Sequence, residues 1–225
     1  MIWIIFIGFA LASWLVSYQL KRRFKEYSDI PTSNGMSGKE VVEKMLRENM
    51  IYDVKVQSVE GELTDHYNPA DKTINLSEAV YYGKNIAAAA VAAHETGHAV
   101  QHAQAYAWLG MRSALVPVVS FSSRYIQWVL LGGILLINTF PALLLFGIFG
   151  FAMTTLFSFI TLPVEINASN RALVWIKTSG IATSEMHEKA EDALRWAGYT
   201  YVVAALASLA TLLYYISIYM GGRRN

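Results

Sequence analysis

Residues 125–164, YIQWVLLGGILLINTFPALLLFGIFGFAMTTLFSFITLPV, run for forty positions without a charged side chain. One helix of that length would be about 60 Å long, twice the roughly 30 Å of a bilayer core. The stretch must therefore fold back on itself as two spans. Asn138-Thr139-Phe140-Pro141 is its turn-like interruption, and Pro141 suits the first turn of the second helix. The first of these spans is short unless it starts before Arg124, whose long side chain can reach the interface. Upstream, residues 2–20 give nineteen uncharged positions followed at once by Lys21, Arg22, Arg23 and Lys25. In a cleaved signal peptide the positive charge comes first. The order here reads as an uncleaved anchor with its N-terminus outside. Tyr201–Met220 reads as a fourth span, ahead of the tail Gly221-Gly222-Arg223-Arg224-Asn225.

The composition fits a membrane protein. Apolar residues make up 54% and charged ones 16% of the 225, with a net charge of +1 and a mean hydropathy of +0.33. So small a net charge gives no field that would gather a polyanion, so no nucleic-acid partner is expected. With no cysteine and five histidines, disulfides, thiolate metal sites and cysteine nucleophiles are excluded. Four spans place residues 21–124 and 165–200 on one side, and these hold sixteen of the eighteen Lys and Arg residues. Positive charge collects in the cytoplasm, so those segments are expected there, with only Arg223 and Arg224 outside.

The fold class that follows is a mainly α membrane protein of about four transmembrane helices, with a small cytoplasmic α+β domain. Its expected divisions are an anchor at 1–20, a cytoplasmic domain at 21–112, paired spans at 113–164, a cytoplasmic helical part at 165–200 and a last span with tail at 201–225. In the cytoplasmic part, Ser37-Gly38-Lys39-Glu40 is a capping box ahead of the apolar stripe Val41, Val42, Met45 and Leu46. Lys55–Val59 alternates as a strand. Leu63–Tyr67 and Thr73–Leu76 flank Asn68-Pro69-Ala70-Asp71-Lys72 as a hairpin. Residues 79–109 read as one helix. Ser184 with Glu185 and Glu188 marks another helix start, and Gly198 its stop. His187 sits on a solvated face of that helix.

His94-Glu95-Thr96-Gly97-His98 carries the chemistry. Four residues turn a helix by about 400°, so the two imidazoles stand about 40° apart, one turn above the other. They can share one zinc ion, and Glu95 stands beside the first ligand. In a zinc peptidase the metal lowers the pKa of water, while the carboxylate accepts a proton and passes it to the leaving amine. A catalytic zinc wants a third protein ligand. His102 lies about 80° round from His94 and two turns away, too far for the same ion, and is expected to make a hydrogen bond. Glu165, in Leu162-Pro163-Val164-Glu165-Ile166-Asn167-Ala168-Ser169, is a bare carboxylate among apolar neighbours and needs a cation or a strong donor. It lies 67 residues beyond His98, yet the chain between leaves through one span and returns through the next. Ala168 and Ala172 share its helical face and permit close packing, and Ser169 can support a ligand by a hydrogen bond.

These blocks, with the anchor, its basic collar and Thr64-Asp65-His66-Tyr67-Asn68-Pro69, resemble the bacterial YugP-like neutral zinc metallopeptidases over nearly the whole length. More distantly the chain looks like gluzincin membrane peptidases of the HtpX and CAAX-processing type. Their third-ligand helix carries Glu and, four residues later, Asp, where this chain has Ser169. The resemblance implies a zincin-like domain, zinc and peptide-bond hydrolysis. In zincins an edge strand before the metal helix pairs with extended substrate, which points to Thr73, Ile74, Asn75 and Leu76 or to Leu63–Tyr67. His66, Tyr67 and Arg171 are the candidate donors to the oxyanion.

The expected protein is a multi-pass cell-membrane zinc endopeptidase acting on the cytoplasmic side near the bilayer surface. His94, His98 and Glu165 hold the metal and Glu95 is the general base. Its partners are a peptide or membrane-protein substrate, the lipid bilayer and, in a dimer, a second copy of the chain. The alternative is a catalytically silent, zinc-stabilised membrane scaffold or assembly factor.

Overall fold

Ser37 caps the N-terminus of a helix as its sequence demands. Its hydroxyl accepts from the Glu40 N–H, and the Glu40 carboxylate reaches back to the Ser37 N–H. This local choice fixes the register of α2 (Gly38–Glu48), which buries Val41, Val42, Met45 and Leu46. The computed structural model describes residues 2–222, so Arg223, Arg224 and Asn225 lie outside the described residues. The elements are α1 (Ile2–Ser28), α2, β1 (Lys55–Val59), β2 (His66–Asn68), β3 (Thr73–Ser77), α3 (Glu78–Tyr81), α4 (Ile86–Ala103), α5 (Ala107–Leu135), α6 (Pro141–Ser179) and α7 (Ser184–Gly222). The chain forms two compact units, and α1, α5, α6 and α7 contribute to both.

One unit comprises 2–15, 110–162 and 200–222 of the described residues. Its core is Ile126, Leu130, Leu144 and Ile148, flanked by Leu212, Tyr215 and Ile216. At Gly133 the helices α5 and α6 come so close that a Cβ would lie 2.6 Å from the Leu144 Cα. Large apolar side chains such as Trp128, Leu131, Phe146, Phe149 and Leu213 stay exposed, the pattern of a surface that faces hydrocarbon. Among the described residues three helices, α5, α6 and α7, are long and apolar enough to cross a membrane, where four spans were expected. The helix α1 is not one of them; it continues unbroken through Lys21, Arg22, Arg23 and Lys25. The start left open by the sequence is Ala107, and α5 runs on through Arg112, Pro117 and Arg124.

The other unit, 16–109 and 163–199, holds the sheet and α4. Strand order is β1-β3-β2, with β1 parallel and β2 antiparallel to β3. The hairpin is present, but its first strand is only His66–Asn68. All five residues of β3 are buried. Ile74 and Leu76 enter the main core with the α2 stripe, the alanines of α4 and Ile176 and Ile181.

The single helix expected over 79–109 is three pieces. A Cβ at Gly83 would lie 2.3 Å from the Ala79 carbonyl oxygen, which marks the tight turn after α3, and Asn85 then caps α4 through the Ala88 N–H. At the other end Ala105 has φ of 50°. The Tyr106 N–H bonds the Gln101 carbonyl, and the Ala105 N–H bonds His102. This is a Schellman closure, built on alanine where glycine is usual. Gly198, expected to stop a helix, lies inside α7, because nothing there requires a left-handed residue. His187 leaves the solvated face expected for it, and its ring meets the Leu173 carbonyl at 3.1 Å.

Fourteen of the eighteen residues of α4 are buried, so it is a central helix walled on nearly every side. Its small residues let neighbours approach. A Cβ at Gly97 would lie 2.7 Å from the Ala168 carbonyl oxygen of α6, and backbone cannot step aside as a flexible side chain can. Gly97→Ala is expected to destabilise the protein by about 1–3 kcal/mol through overpacking, read as a lower melting temperature. Gly198→Ala, whose Cβ meets nothing within 4 Å, is the control and leaves the melting temperature unchanged or slightly higher.

Candidate metal centre

The spacing of His94 and His98 on α4 sets their rings one turn apart, with centroids 4.8 Å from each other and planes at 85°. The Gly97–Ala168 approach brings α6 against this turn, and Ala168 and Ala172 are fully buried. Glu165, one helical turn before Ala168, then projects its carboxylate onto the imidazoles. Its Oε2 lies 3.2 Å from His94 Nε2 and 3.5 Å from His98 Nε2. Glu165 is 3% and His98 7% exposed; His94 is half-buried.

Each histidine is held through its other nitrogen. His94 Nδ1 meets Ser169 Oγ at 3.1 Å and His98 Nδ1 meets Gln101 Oε1 at 3.0 Å. Both Nε2 atoms therefore point to the carboxylate. The three donor atoms lie within 4.8 Å of one another and could hold a metal ion. A tetrahedral zinc with ligands at 2.0–2.2 Å separates its donors by about 3.3–3.6 Å. The two nitrogen–oxygen distances match that spacing. Two imidazoles and a carboxylate, all stripped of most of their water, are also a donor set that zinc prefers.

Burial lowers the affinity of the His98 imidazole for a proton. The Glu165 contact and the negative charges of Glu95 and Glu165 outweigh it and hold His98 above its ordinary pKa. Protons and metal compete for the same ring. Zinc loading is therefore expected to weaken, as pH falls, from a higher pH than an isolated imidazole of about 6.5 would give, a shift that metal titration at several pH values would reveal.

Glu95 is buried, and its Oε2 accepts the Tyr67 backbone N–H of β2 at 2.9 Å. This contact joins the hairpin to the turn of α4 that carries the histidines. The other candidates divide. Ser169 reaches a metal-site histidine. The Tyr67 hydroxyl instead meets His102 Nδ1 at 2.7 Å. Burial, with Asp53 and Asp71 adding to it, pushes the Tyr67 phenol up to about 12, so the phenol keeps its proton. His66 is tied to the Thr64 carbonyl and to Asn75. Arg171 is spent on Asn167 and Gln104. Neither side chain is brought to the donor trio.

The substrate-strand expectation for Thr73, Ile74, Asn75 and Leu76 fails. Strand addition needs an open edge, and β3 lies between β1 and β2, with the Ser77 N–H beyond the end of β2 taken by Asp65. The edge strand next to the site is β2.

Sequence reasoning also missed Gln101 and Asn167. Gln101 follows His98 by three residues, a spacing that puts two side chains side by side on a helix, so the signal was available. That its amide would find Val164 and Asn167 on α6 was not.

The model of the family described as "Putative neutral zinc metallopeptidase" matches residues 2–220. The chain is 41% identical over 211 residues to "Putative membrane protease YugP" of Bacillus subtilis (strain 168), covering 94% of this chain and 93% of that protein. No solved structure matches. A match that runs from Ile2 to Met220 takes in the apolar helices, the sheet and all three converging donors, and on that extent the chain belongs to the neutral zinc metallopeptidase family.

Proposed function

We propose that this chain is a multi-pass membrane zinc endopeptidase of gluzincin type, cutting peptide bonds near the bilayer surface on the cytoplasmic side. The observation that carries the reading is the convergence of His94, His98 and Glu165 on one point, with Glu95 next in sequence to the first ligand. The compartment follows from charge. Whether or not α1 crosses, α5 takes the chain out and α6 brings it back, so residues 21–106 and 165–199 share a side. That side holds fourteen of the eighteen Lys and Arg residues, the excess expected of a cytoplasmic face.

When bound, zinc polarises the scissile carbonyl and makes water acidic enough to attack at neutral pH. The residues of the chain do the rest. His94, His98 and Glu165 hold the ion. Glu95 takes the proton from the attacking water and gives it to the leaving nitrogen. The Tyr67 N–H holds Glu95 Oε2 and leaves Oε1 to carry the proton. The same contact ties β2 to the turn of α4 that carries the histidines.

The test is cleavage of a mixed peptide library by the full-length protein in detergent. Internal cuts that stop on chelation and return with about one equivalent of zinc support an endopeptidase. Zinc-loaded protein that cuts nothing favours the silent scaffold, and cuts indifferent to chelation overturn the zinc mechanism.

A further inference from the structure

Gln101 is fully buried, and its side-chain amide has only one orientation open to it. Its two N–H groups donate to the Val164 carbonyl at 2.8 Å and to Asn167 Oδ1 at 3.0 Å. A backbone carbonyl can only accept. Asn167 Oδ1 is fixed as the oxygen end of its own amide, because it also takes the Arg171 Nε–H at 2.7 Å. A flipped Gln101 would press its oxygen against two acceptors in a buried place, at the cost of two hydrogen bonds and the desolvation of what remained.

The orientation of Gln101 settles that of its neighbour. Its Oε1 faces His98 Nδ1 at 3.0 Å, and an amide oxygen cannot donate, so Nδ1 bears the ring proton. A neutral imidazole then has its lone pair on Nε2, the nitrogen that faces Glu165. His94 has no such lock, since the Ser169 hydroxyl at its Nδ1 can either donate or accept.

We propose that Gln101 is a positioning residue that locks His98 in the Nδ1–H tautomer and so keeps Nε2 for the metal, its own orientation being set by Val164 and by the Asn167–Arg171 pair. The chain of contacts runs Arg171, Asn167, Gln101, His98. Arg171 thus serves the site through three side chains rather than by touching substrate. This inference rests on the zinc-peptidase reading.

The test is zinc affinity of the full-length protein in detergent, by competition with a chromophoric chelator, beside circular dichroism and the visible spectrum of the cobalt-substituted form. Gln101→Met keeps length and volume but offers the His98 Nδ1–H only a weak thioether acceptor. It is expected to weaken zinc binding by about 10–100-fold, with helicity unchanged and an altered cobalt spectrum. Asn167→Asp preserves the acceptor and binds zinc as the wild type does. Asn167→Leu frees the Gln101 amide to turn and falls between the two. Wild-type affinity in a folded Gln101→Met protein overturns the proposal. If that variant does not fold, the Asn167 pair decides, and equal affinities in the Leu and Asp variants overturn it. A wild-type protein that binds no zinc overturns the peptidase reading itself, and this inference with it.

Discussion

Glu95→Gln keeps its zinc and loses about 10²–10⁴-fold in peptide hydrolysis, the usual worth of a positioned general base. The substitution is nearly isosteric. A glutamine oxygen can still accept the Tyr67 N–H that now bonds Glu95 Oε2, so β2 keeps its place against α4. What the amide cannot do is take a proton. Metal content, measured on the same sample as the cleavage rate, separates this loss from loss of the site. A variant that cleaves at the wild-type rate would remove Glu95 from the chemistry. One that loses its zinc would make Glu95 a structural group.

Glu165→Ala lowers zinc affinity by more than about 100-fold, beyond the 10–100-fold typical of an outer hydrogen-bond partner. The reason is geometric: one of the three donors within 4.8 Å is gone, and the nearest replacement on that turn of α6 is the Ser169 hydroxyl, already on His94. The metal-free protein should change far less. A buried carboxylate costs desolvation, and its removal relieves that cost while surrendering two contacts to imidazoles. Zinc should therefore raise the melting temperature of the wild type, by the linkage between binding and folding, and leave that of the variant almost unmoved. An equal zinc-induced rise in both would show that the third donor lies elsewhere.

The elements that sequence discloses here are those with a local cause. The Ser37–Glu40 box, the alternation of Lys55–Val59 and the turn before Pro141 each act within a few residues, and each stands where it is read. The His94–His98 pair is local in the same sense, since helix geometry alone aligns it. The helical boundaries misjudged at Gly83 and Gly198 turn on backbone demands that composition does not reveal. Both are glycines, but only the first meets a backbone that forbids a Cβ. The central place of β3 is a matter of pairing between strands, and a single strand's pattern does not say which neighbours it has. The roles proposed for Gln101, Asn167 and Arg171 depend on which side chains meet where α6 lies against α4; the alanine spacing permits that approach but does not name the pairs.

The donors of the metal centre are divided between two stretches of chain, with α5 and the apolar first part of α6 between them. During synthesis the imidazole pair leaves the ribosome long before the carboxylate has been made. A nascent chain halted anywhere up to α6 carries two histidines and no third anchor, so it grips zinc poorly and cuts nothing. The packing of α6 against α4 is thus what completes the donor set, and shorter products lack it.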